Sequence, residues 1–150
     1  MLFTAALQLA DPWRVIDVGF RDGADGKREL HITVGFRSGS RFHCPEAGCR
    51  EEACPVHDVR ERVWRHPDFF QYKAFIHAGV PRVARPAHGV HAVAVPWARP
   101  GSGFTLLFEA MVVELAKSQP VADIAAQVGE HDTRLWRFIR HYVDEARLYE

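Results

Sequence analysis

Apolar and polar residues alternate with period two over two early stretches, Trp13 to Phe20 and Leu30 to Phe36. Alternation of this kind predicts half-buried strands. In the first stretch Val15, Asp17 and Gly19 stand opposite Ile16, Val18 and Phe20; in the second Leu30, Ile32, Val34 and Phe36 share one face. The intervening Asp22-Gly23-Ala24-Asp25-Gly26-Lys27 is turn chemistry, so the pair reads as a β-hairpin with a long loop. Before it, the apolar run Met1 to Leu9 reads as a short helix that ends at Asp11-Pro12-Trp13. Gln71 to Val80 and Val90 to Val95 read as two further strands, punctuated by Pro81, Pro86 and Gly89. The stretch from Val59 to Phe75 is rich in aromatic and charged residues.

The period changes after Pro96-Trp97-Ala98-Arg99-Pro100-Gly101-Ser102-Gly103. Prolines and glycines at this density exclude regular structure, so the segment separates two domains, 1–97 and 98–150. Beyond it Phe104, Leu107, Phe108, Met111, Val112 and Leu115 recur with the spacing of an amphipathic helix. Pro120 opens a short second helix over Val121 to Val128, and Gly129 stops it. Asp132 or Thr133 caps a third that runs to about Arg147.

Composition adds little. The 150 residues carry 19 basic and 19 acidic side chains, so net charge neither supports nor excludes a nucleic-acid partner, and only local charge is informative. No apolar run approaches the ~18 residues of a membrane span. The N-terminal run lacks the basic start and cleavage site of a secretory signal, which makes the expected location cytoplasmic.

All three cysteines fall within one stretch, as Cys44, Cys49 and Cys54, and His57 follows closely. Thiolates so close in sequence can meet at one Zn²⁺, which takes sulfur and nitrogen ligands tetrahedrally. A zinc ribbon needs two tight turns, or knuckles, each aiming two ligands at the metal. Residues 44–49 suit the first, with Gly48 letting the backbone curl. The second falls at Arg85-Pro86-Ala87-His88-Gly89. Cys44, Cys49 and His88 are the first three candidate ligands; Cys54 is the leading fourth and His57 the next. Arg85 cannot ligate, because a guanidinium stays protonated. The plainer alternative is that the cysteines are ordinary reduced residues in a loop. A catalytic zinc is disfavoured, since no carboxylate is placed as its general base. The expected fold class is therefore α+β: an N-terminal β-hairpin and zinc-ribbon-like β domain, then a three-helix domain.

Within that second domain, residues 120–138 fit a helix-turn-helix. Ile124, Val128, Leu135 and Phe138 are apolar where the core needs them, Ala125 is small where the helices cross, and Gly129 sits at the turn. Arg134, Arg137, Arg140 and His141 then form an exposed basic stripe, with Thr133 at its start. Arginine suits phosphate and guanine contacts. The alternative is a helical bundle whose arginines are a solvated face balanced by Asp132, Asp144 and Glu145.

Several motifs together resemble the N-terminal part of bacterial insertion-sequence transposases of the ISL-three type. They are Pro12-Trp13-Arg14-Val15, Ser40-Arg41-Phe42-His43-Cys44-Pro45, Cys54-Pro55-Val56-His57-Asp58, Trp64-Arg65-His66, Asp68-Phe69-Phe70-Gln71, Val80-Pro81-Arg82-Val83, the run from Val95 to Thr105, and Gly129 to Trp136. The resemblance implies a zinc-ribbon-like domain and a helix-turn-helix that bind double-stranded DNA at transposon ends, with Zn²⁺ as cofactor. It also implies an RNase-H-like catalytic domain beyond the end of this chain, so the chain itself is expected not to be an enzyme. The family's second knuckle reads like Cys-Pro-x-His-Gly, and here Arg85 stands at the cysteine position. On this reading Arg134, Arg137 and Arg140 contact the major groove, while Arg60, Arg62, Arg65 and Lys73 add backbone contacts. The second reading is an interaction module that pairs with full-length transposase through aromatics around Trp64, Phe69, Phe70 and Tyr72 and inhibits it; a homo-oligomer is a further possible assembly.

Overall fold

The computed structural model describes residues 2–46, 49 and 53–149; Gly48, expected to shape the first knuckle, lies outside the described residues. A short helix α1 (Leu2–Ala6) precedes strands β1 (Trp13–Asp22), β2 (Arg28–Phe36), β3 (Arg41–Phe42), β4 (Cys54–Phe69), β5 (Tyr72–Arg85) and β6 (Gly89–Ala92). Helices α2 (Leu106–Ala116), α3 (Val121–Val128) and α4 (Asp132–Arg147) follow. No helix among the described residues is long and apolar enough to cross a membrane.

The strands form one six-stranded sheet in the order β1-β2-β5-β4-β3, with β6 also paired to β5. β1 and β2 pair antiparallel, and β2 then lies parallel to β5 from Glu29↔Lys73 to Val34↔Ala78. β5 is the centre because its inward residues Ala74, Ile76, Ala78, Val80 and Val83 are apolar and almost fully buried. β4 and β5 make a long antiparallel hairpin, and β6 folds back along Arg82–Arg85. The alternation of β2 is realised, with Leu30, Ile32 and Val34 buried. That of β1 fails after Val15. A bulge between Val15 and Asp17 breaks the register, leaving Ile16 and Phe20 exposed. β4 starts at Cys54, well before the first strand that the sequence predicts in this region. Few of its residues are buried, so its apolar pattern is faint.

The segment expected to be an irregular separator is irregular but firmly held. Trp97 enters the sheet's core, edge-on to Trp13 at 4.9 Å and to Trp64 at 5.3 Å. The Arg65 amide donates to the Gly103 carbonyl and the Thr105 amide to the Arg65 carbonyl. The sheet's core closes with Ala98, and a second core begins at Phe104.

The second core is built by α2, α3 and α4. Thr105 caps α2, its Oγ1 accepting from the Phe108 amide at 3.2 Å. Gly129 ends α3 with φ +70°, a conformation that favours glycine. Two local expectations are corrected here. The cap of α4 is His131, with no side-chain cap bond, rather than Asp132 or Thr133. Leu107 is 61% exposed rather than buried, because α2 turns Glu109 inward together with Phe108 and Val112.

His66 joins the two cores. Its Nδ1 lies 2.9 Å from Thr105 Oγ1. That oxygen also accepts from the Phe108 amide, so His66 and the cap of α2 share one hydroxyl. Burial first, then the Arg65 charge, lowers the His66 pKa from 6.5 to about 4. A depressed histidine pKa means that the unfolded chain binds the extra proton. The stability from neutral His66 is therefore complete above pH 6.5 and lost as pH falls toward 4. We expect urea denaturation to show a loss of about 3 kcal/mol across that window, and His66→Gln to flatten the dependence.

Candidate metal centre and nucleic-acid interface

Cys44 lies two residues beyond the end of β3, and His88 sits in the turn between β5 and β6, where its amide donates to the Arg85 carbonyl at 3.0 Å. The sheet brings these two turns together: Cys44 Sγ is 3.8 Å from His88 Nδ1. One donor atom each from Cys44, Cys49 and His88 lie within 4.8 Å of one another. Tetrahedral Zn²⁺, with bonds of about 2.0–2.3 Å, sets its ligand atoms roughly 3.5–3.8 Å apart. These three donors fit such an ion with small adjustment. The Glu46 backbone hydrogen bond works to lower the Cys44 pKa. Burial, the hydrogen bond with Cys49 and the charges of Cys49 and Cys54 outweigh it, and the net shift is upward. A cation among the sulfurs would reverse that balance. His91 adds a brace between the turns, its Nε2 lying 3.5 Å from Glu46 Oε2.

Cys54 stands apart from this three-donor group among the described residues. It is buried at the start of β4, paired with Phe42, and close enough for its charge to raise the Cys44 pKa. His57 is exposed in the bulge between Val56 and Asp58. Arg85 ends β5 opposite Gly89.

On α4 the residues Thr133, Arg134, Arg137, Arg140 and His141 are all exposed, while Leu135, Phe138 and Ile139 are buried. Arg134 donates to Glu130 Oε2 at 2.7 Å, with its guanidinium 4.4 Å from the centre of the Phe104 ring. Arg60 and Arg62 are exposed on β4; Arg62 lies over Trp64 and donates to the Ser102 carbonyl. Lys73 Nζ donates to the Gly129 carbonyl at 3.3 Å, at the C-terminal end of α3.

Arg65 is a correction. It is 2% exposed and cannot reach a DNA backbone from that position. Its guanidinium lies near the Phe75 and Phe108 rings and donates to Asp68 Oδ1 and to the Val128 carbonyl. It is a bolt between the sheet and the helices. The aromatic surface is also smaller than the sequence suggests: Trp64 is buried and Tyr72 half-buried against Phe20, leaving Phe69 and Phe70 exposed.

Sequence reasoning misses Glu109, which is fully buried. Its carboxylate accepts from Arg99 Nε at 2.8 Å and Nη2 at 3.0 Å, from Ser102 Oγ at 2.8 Å and from the Tyr142 hydroxyl at 2.7 Å. It ties the 99–103 loop to α2 and α4. An acid inside the apolar run Leu106-Leu107-Phe108-Glu109-Ala110-Met111 is the signal that could have exposed it.

A sulfur and nitrogen cluster thus lies between two turns of a sheet, and a packed helix pair presents arginines outward, an arrangement compatible with a zinc-ribbon and helix-turn-helix class. Residues 93–143 match the helix-turn-helix domain of transposase family ISL3, and residues 40–84 match the zinc-finger of transposase IS204/IS1001/IS1096/IS1165. Together these matches support a likeness to the N-terminal region of ISL3-type transposases. It is 35% identical over 117 residues to the transposase for insertion sequence element IS1557 of Mycobacterium tuberculosis, in strains CDC 1551 / Oshkosh and ATCC 25618 / H37Rv. The match covers 77% of this chain and 26% of each relative, so the chain spans about a quarter of their length. No solved structure matches it.

Proposed function

We propose that this chain recognises the DNA ends of an insertion sequence, with α4 seated in the major groove. The carrying observation is the exposed row Thr133, Arg137 and Arg140 on a helix whose opposite face is packed. Arg134 and His141 flank that row, and Arg60 and Arg62 extend the basic surface onto β4. A zinc ion held by Cys44, Cys49 and His88, with its fourth position closed by a further protein donor, would be structural. It would pin the first turn against the β5–β6 turn and take no part in a reaction. The proposed role is binding rather than strand cleavage.

The test is affinity for the element's terminal repeats against a scrambled duplex across a salt series. Arg137→Ala and Arg140→Ala are expected to cost about 1–3 kcal/mol each on the end sequence. Arg60→Ala and Arg62→Ala are expected to weaken both duplexes alike, each reducing the salt slope by about one. Binding without salt dependence, or equal affinity for both duplexes, would sink the reading.

A second reading rests on the β4–β5 tip, where Phe70 is 80% exposed and packs edge-on against Phe69. Such a knob suits pairing with full-length transposase, whose mixed assemblies would inhibit transposition. Co-purification without DNA, lost in Phe70→Ser, would favour it.

A further inference from the structure

The 99–103 loop and α4 enclose a groove of about 260 Å³. We infer that this groove holds one DNA backbone phosphate, which makes the loop a second DNA-contacting element beside α4. The inference rests on the proposed DNA-binding role and deepens it.

One wall is the loop; the other carries Arg134, Arg137 and His141, and among the described residues no carboxylate lines the groove. Arg134, Arg137 and His141 recur along one edge of α4, and the proposed reading row Thr133, Arg137 and Arg140 lies on the adjacent edge. Arg137 belongs to both. A helix lying in the major groove with its row toward the bases therefore turns this edge toward one strand's backbone. The groove is already formed. Glu109 draws Arg99 and Ser102 inward, and Glu130 and the Phe104 ring hold the Arg134 guanidinium in place. Little side-chain freedom is left to lose on binding. The loop backbone is also bare where an anion would approach. Gly101 has φ +79°, and a Cβ there would meet nothing within 4 Å; a Cβ on Gly103 would come 3.0 Å from Arg134 Nη2.

Not every cation here is unopposed: Arg99 pairs with Glu109, Arg134 with Glu130, and His141 lies 3.6 Å from Glu145. The predicted contribution is accordingly that of one phosphate, not of several.

The test uses the full chain and end-sequence duplexes carrying a single uncharged methylphosphonate, moved along each strand. One position is expected to lower wild-type affinity about tenfold and the salt slope by about 0.9. The variant carrying Arg134→Gln and His141→Gln should lose a similar factor on both end and scrambled DNA, with circular dichroism showing it folded. Neutralising the same phosphate should then cost the variant nothing further. Gly103→Glu, which places a carboxylate in the groove, should repeat the effect. If the protein and phosphate losses multiply in full at every position, the inference is wrong although the DNA-binding role stands. If wild type shows no salt-dependent DNA binding, the proposed function itself fails. Inorganic phosphate titrated into the free protein separates the sources. Shifts of the Gly101 and Gly103 amides that saturate below about 1 mM would assign the groove to free phosphate and overturn the inference. Their absence supports a subsite that needs the duplex.

Discussion

Replacing Glu109 by alanine is expected to lower the unfolding free energy by about 3–5 kcal/mol, the cost of breaking a buried ion pair from one side. The side chain is 0% exposed and its partner Arg99 only 25% exposed, so water can replace little of what is lost. Three partners would be stranded at once: a guanidinium, a serine hydroxyl and the Tyr142 hydroxyl. Against a typical domain stability of about 5–15 kcal/mol this is a large fraction. Glu109→Gln should fall between, since it keeps the volume and one acceptor oxygen but loses the charge. The combination of Glu109→Leu with Arg99→Met should recover much of the loss, because a buried pair replaced by apolar groups is often near neutral. Urea titration followed by tryptophan fluorescence reads all three. A loss below about 1 kcal/mol for the alanine variant would show that the loop is not anchored as the geometry indicates.

Cys44→Ser and His88→Ala are each expected to abolish zinc retention, while Cys54→Ser should keep it. The contrast follows from the three donors that gather and the one that stands apart. Arg85→Cys is expected to have the largest effect in the opposite direction. Residues behind the ligands are worth about 10–100-fold in metal affinity, so a direct thiolate should add about 100-fold or more. Competition with a chromophoric chelator measures both effects. Zinc lost from Cys54→Ser would overturn the three-donor assignment and return Cys54 to the ligand set.

Much of the helical half is legible in the sequence. Pro120 and Gly129 bound α3, and the apolar spacing of Leu135, Phe138 and Ile139 marks the inner face of α4. These signals are local, since caps and turns act within a few residues. The candidate ligands Cys44, Cys49 and His88 are legible for another reason: few residue types bind zinc, and their turns carry Gly and Pro. What escaped depends on distant partners. Arg65 looks like a surface cation, yet Asp68, Val128 and two aromatic rings bury it. Glu109 disturbs the helix stripe because Arg99, ten positions away, pulls it inward. β4 hides its period because most of its side chains stay in water.

The sequence by itself determined the types of most elements, β3 and β4 excepted, the switch from period two to period 3.6, and the residue kinds from which a metal centre and a basic helix face can be made. Each follows from neighbours along the chain. Only the tertiary structure decided that β2 joins β5 in a single sheet, that Cys44, Cys49 and His88 gather between two turns, and that the 99–103 loop is fastened beside α4. Those outcomes turn on which side chains meet after the sheet and helices pack. Burial and pairing between residues far apart in the chain leave no local period to read.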